Sequence, residues 1–182
     1  RQHFVHEFPL TMVGVDFNEV ARHETSKTLK EAKIPFFVLH GDIGDPVQLM
    51  IDLKKAGISD NVLHIRSFLD HDRPFIPVSD IEALRIRLSE TDTPRNMGVY
   101  VDEEGQDRPA AVIEQNLVEH LSRWAHVVRE HGLVVLEVHS LDPADSFRFL
   151  DSCASLYFDT CQTLSRQLLV KPTVWLTAAA EV

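Results

Sequence analysis

The triplet Asp70-His71-Asp72 sets an imidazole between two carboxylates, directly after the apolar run Asn61 to Ser67. An imidazole so flanked suits a general base or a metal ligand. Asp70 and Asp72 serve as alternative ligands or as caps of the turn. His139 closes a second apolar run, Leu133 to His139. There it could deprotonate a carbon acid or orient a carbonyl, or simply bond to backbone as a half-buried histidine. Glu137, inside that run, needs a partner if buried. Two further runs lead to acids: Leu10 to Asp16, and Phe36 to His40 followed by Gly41-Asp42-Ile43. A strand-end carboxylate such as Asp16 can accept from both hydroxyls of a ribose, or else cap the next helix. Asp42 can accept from an adenine amine while the Ile43 amide meets a ring nitrogen, or it can bond its own turn.

These residues need a scaffold that gathers strand ends, and the patterning supplies one. Apolar strand runs alternate with helical periodicity over Glu19 to Lys33 and over Leu49 to Ala56, where Asp45 is the predicted N-cap, Pro46 the first helical residue and Gly57 the stop. Ile113, Leu117, Leu121, Trp124 and Val128 mark the strongest amphipathic helix, ending at Gly132. Further helices are expected around Ser79 to Leu88, over Asp145 to Ser155 and from Pro172, and another strand within Tyr157 to Val170. The alternation predicts an α/β fold with a mostly parallel sheet covered by helices on both faces, and one domain over 1–182 with an irregular insertion at about 68–108. Ligands of such sheets bind outside the carboxyl ends of the strands. Those ends read Asp16, Gly41-Asp42, Arg66-Ser67 and His139-Ser140.

Composition narrows the partners. The chain has 182 residues, 44% hydrophobic and 25% charged, and a net charge of −10. That balance argues against nucleic acid or an anionic membrane as partner. No apolar run approaches a membrane span and no secretory signal opens the chain, so a cytoplasmic location is expected. Cys153 and Cys161 are read as reduced thiols with no base motif beside them. A nucleotide-binding sheet normally carries a glycine-rich loop after its first strand. None of the seven glycines forms a G-x-G, so either the protein binds no nucleotide or that strand and loop are expected to lie outside this chain, which begins at Arg1.

The stretches LTMVGVDFNE, LHGDIGDP, LHIRSFLDHDRPF, QNLVEHLSRWAHVV and HGLVVLEVHSL resemble class I S-adenosylmethionine-dependent methyltransferases, specifically the C-methyltransferase domains of polyketide synthases of the apratoxin-like loading-module type. The resemblance implies a Rossmann-like sheet lacking its first strand and glycine loop. It implies Asp16 on the ribose of S-adenosylmethionine, Asp42 and Ile43 on the adenine, and Arg66 or Ser67 beside the methionine part. The methyl would pass to the α-carbon of an acyl thioester borne on the phosphopantetheine of an acyl carrier protein. Arg85, Arg87, Lys54 and Lys55 are candidate contacts for that carrier. Some domains of this type use a mononuclear metal, iron or manganese, and their pattern maps a histidine ligand to His71 and an amide ligand to Gln115. On a regular helix, however, Gln115 falls about 160° from the apolar stripe, an outward position. Two other functions fit a sheet of this kind: a non-catalytic docking scaffold of a megasynthase, and a nicotinamide-dependent oxidoreductase.

Overall fold

The computed structural model of the chain describes residues 10–59, 61–89, 98–153, 156 and 165–182. The chain gathers into two compact units, Arg1–Asp60 and Asn61–Val182.

The first unit holds β1 (Met12–Asp16), α1 (Glu19–Glu31), β2 (Phe36–His40) and α2 (Pro46–Lys55). β1 and β2 pair in parallel, with Met12 opposite Phe36 and Asp16 opposite His40. Both acids of the predicted nucleoside site therefore leave the same end of one strand pair. Two glycines permit the close packing behind them. A Cβ on Gly14 would stand 2.6 Å from Thr25 Cγ2 of α1, and one on Gly41 would stand 2.5 Å from Val15 Cγ1. Asp45 caps α2 as predicted, accepting from the Gln48 amide at 2.9 Å.

The second unit holds β3 (His64–Ser67), a 3-10 turn (Asp70–Asp72), α3 (Ile81–Ser89), a hairpin of β4 (Tyr100–Val101) and β5 (Asp107–Arg108), α4 (Ala110–Ala125), β6 (Leu133–Leu136), α5 (Pro143–Phe149) and α6 (Pro172–Ala180). β3 and β6 are parallel, from His64 opposite Leu133 to Ser67 opposite Leu136. The strands are shorter than the apolar runs because ladder pairing stops before the run does. The helix expected to reach Ser155 ends at Phe149, and residues 154 and 155 lie outside the described residues. Of the strand expected within 157–170, residues 157–164 also lie outside them, and 165–170 contain no strand. The expected irregular insertion contains the 3-10 turn, α3 and the hairpin, with 90–97 outside the described residues. Ile113, Leu117 and Leu121 of α4 form the core with Tyr100, Leu168, Val170 and Ala178. Each such aliphatic side chain contributes about 1.5–3 kcal/mol by leaving water. The architecture is the mixed α/β, Rossmann-like class predicted, built here from small parallel strand pairs.

Candidate active site

Two sets of predicted residues are assembled separately, one in each unit. In the first, Asp16 accepts the Asn18 amide through Oδ1 at 2.7 Å. Asn18, rather than Asp16, caps α1, accepting from the Val20 and Ala21 amides. Asp42 accepts the Gly44 amide through Oδ1 at 2.7 Å. Both acids thus use one oxygen to fix their own turn, the alternative role foreseen for Asp42, whereas the helix cap foreseen for Asp16 falls to Asn18. Their second oxygens make no hydrogen bond among the described residues, and both side chains reach solvent. Two carboxylate edges held rigid at the carboxyl ends of parallel strands fit the hydroxyls and amine of a nucleoside. Ile43 follows directly in the same turn.

In the second unit the geometry centres on His71. Its Nδ1 lies 2.7 Å from Glu137 Oε1, and its backbone amide donates to Glu137 Oε2 at 3.1 Å. The carboxylate therefore grips the histidine by side chain and backbone together. A carboxylate can only accept, so Nδ1 carries a proton, and in the neutral ring Nε2 is the nitrogen with the lone pair. Burial alone would raise the Glu137 carboxyl, but hydrogen bonds from His71 and the Val138 amide outweigh it and hold the group below its ordinary range. It stays ionised behind the imidazole. Glu137 and His139 are two residues apart in extended chain and share a face. Both line a cleft with Asp70, His71, Arg73 and Trp175. His139 Nδ1 stands 3.3 Å from the Val170 carbonyl, the backbone bond foreseen for a half-buried histidine, and Nε2 remains.

Asp70 and Arg73 of the LDHDRP stretch form a buried staple. Asp70 is 1% exposed, and its Oδ1 is 3.0 Å from both Arg66 Nη2 and His120 Nε2. Arg73 donates to Asn116 Oδ1 at 2.9 Å and to the Asp70 carbonyl at 2.7 Å. In a four-residue stretch, Asp70 and Arg73 turn inward onto α4 while His71 turns to the cleft. Arg66 requires a correction. It is buried rather than presented at the strand end, and its guanidinium lies 4.6 Å over the Trp124 ring. Alternation along β3 leaves Ser67 exposed at that end.

Gln115 also departs from expectation. The helical wheel turns it outward, yet it is 3% exposed, because α3 covers that face of α4. Its Oε1 accepts from Arg87 Nε at 2.8 Å and its Nε2 donates to Glu119. An amide oxygen bound to a guanidinium is a poor metal ligand. Among the described residues no three His, Cys, Asp or Glu side chains form a metal-ligating group. His71 alone has the form of a ligand, with a carboxylate behind it. The residues present do not fit a metal held by His71 and Gln115.

His120 was not foreseen, although a signal existed. Asn116 and His120 fall at i and i+4 on the stripe of Ile113 and Leu117, where polar groups must find buried partners. Burial pushes the His120 imidazole down to about 4, against the hydrogen bond to Asp70, with Arg73 and Arg66 adding to the depression. The unfolded chain binds this proton below about 6.5 and the folded chain only below about 4. Stability is therefore fully present above pH ~6.5 and falls between ~6.5 and ~4, by roughly 3 kcal/mol from this group. His120→Gln is expected to flatten that slope in urea titrations run across this range.

The comparisons agree with this layout. The family model described as the AprA MT2-like domain, a methyltransferase family, matches residues 1–182. The chain belongs to this methyltransferase family. No curated protein matches it.

Proposed function

We propose that this methyltransferase domain moves a methyl group from S-adenosylmethionine to the α-carbon of an acyl thioester held on an acyl carrier protein, in polyketide biosynthesis. The observation that carries the reading is the His71–Glu137 dyad, in a cleft that His139 also lines. Asp16 would hold the ribose, Asp42 and Ile43 the adenine, and Ser67 the methionine part. S-adenosylmethionine, when bound, supplies an electrophilic methyl on a sulfonium. An α-carbon attacks it only after losing a proton, and the neutral His71 imidazole with an anionic carboxylate behind it is built to take that proton. His139 orients the thioester carbonyl whose oxygen gathers the charge. No step is routed through a metal, since the mapped ligand pair does not converge.

Family membership favours S-adenosylmethionine over a nicotinamide as the occupant of the strand-end acids. For the carrier protein, Arg85 is paired with Glu82, Lys55 with Asp52, and Arg87 with Gln115 and Glu181. Lys54, Lys55 and Arg85 are all exposed, and of these Lys54 forms no ion pair among the described residues. No helix among the described residues is long and apolar enough to cross a membrane.

Calorimetry with S-adenosylmethionine on the full-length protein tests the reading. Asp42→Ala is expected to weaken binding about 10- to 100-fold, the worth of a charge-assisted hydrogen bond. Absence of binding by the wild type overturns the catalytic reading and leaves a docking scaffold.

A further inference from the structure

Two residues that line the cleft beside His71 each carry a buried polar atom without a partner. Asp70 commits Oδ1 to Arg66 and His120, while Oδ2 meets no donor. Trp175, on α6, keeps its indole Nε1–H buried with no acceptor. Other unmatched atoms, such as His64 Nε2 and His120 Nδ1, belong to residues that do not line this cleft. Leaving a buried donor or acceptor unmatched costs about 1–3 kcal/mol. Folded proteins relieve such groups with ordered water where there is room. The cleft has space for about one water molecule. One orphan acceptor and one orphan donor require a ligand that donates and accepts from a single atom. A metal cation would satisfy the carboxylate but offers the indole no acceptor. A halide or other anion would satisfy the indole but meets the carboxylate as a like charge.

We propose that this cleft binds a single water molecule, which donates to Asp70 Oδ2 and accepts from Trp175 Nε1–H, in the site of the His71–Glu137 dyad. Trp175 then has a polar role in addition to its packing against the α4 core. For the reaction proposed above, on which this one consequence rests, the water is a neutral proton acceptor lodged in the same cleft as the base.

The test uses wild-type protein with isotope-labelled tryptophan, whose two indoles are Trp124 and Trp175. The Trp175 N–H is expected to show cross-relaxation with a long-lived water, and a crystal structure is expected to show one water in the cleft. Trp175→Phe keeps an aromatic ring but removes the donor, and is expected to lose that water. A Trp175 N–H without water cross-relaxation, or a dry cleft in the wild type, overturns the proposal. So does the same water persisting in Trp175→Phe. None of these readouts depends on cofactor binding, so this inference and the methyltransferase reading fail separately.

Discussion

Glu137→Gln is expected to lower the rate of methyl transfer by about two to four orders of magnitude while leaving S-adenosylmethionine affinity unchanged. The carboxylate now serves three donors, the His71 ring and the Val138 amide through Oε1 and the His71 amide through Oε2. A glutamine has a single oxygen. If that oxygen stays on the backbone amide, its NH2 faces Nδ1, and the imidazole must accept there and carry its proton on Nε2. The ring keeps its place and loses the lone pair that takes the substrate proton. Single-turnover rates with a carrier-bound acyl substrate, set beside calorimetric affinities, separate the two effects. A rate within tenfold of wild type would sink the assignment of His71 as base. His71→Ala should match Glu137→Gln, and the double variant should cost little more, as for residues acting as one unit.

A second large effect is expected in stability. Asp70→Asn removes the negative charge that faces Arg66 and lies near Arg73, both buried. Burial lowers the Arg73 guanidinium to about 10, even with Asp70 opposing the shift. An ion pair of this kind is modest in net worth when intact. Breaking it strands cations away from water, at about 3–5 kcal/mol. Urea unfolding should show a loss of that size with an unchanged slope. A loss below about 1 kcal/mol would mean that Glu137 and solvent compensate the arginines without Asp70.

Local chemistry was readable wherever one segment decides the outcome. Asp45 and Pro46 announce the start of α2, and Gly57 and Gly132 take the positive φ values that helix ends and turns require. The stripe from Ile113 to Trp124 located α4 because its burial follows a single face. Pairings across distant segments were not readable. The sequence required a partner for Glu137 and left it open, since His71 lies 66 residues away. The surroundings of Gln115 could not be decided because a helix wheel shows only which face a residue is on, and α4 is covered by α3 as well as by the core. Arg66 was misplaced for a related reason: an alternating strand buries one of two adjacent polar residues, and only the packed partner decides which.

The span between His71 and Glu137 also bears on how the protein matures. Their hydrogen bond requires β3 and β6 to have aligned in parallel, a pairing whose loop-closure entropy must be met before any contact repays it. Helices α3 and α4 can form from local interactions well before that event. A chain emerging from synthesis therefore gains most of its helix content before it gains a competent base. In a refolding experiment, far-ultraviolet ellipticity should recover ahead of activity, and the lag measures the docking of these two strands.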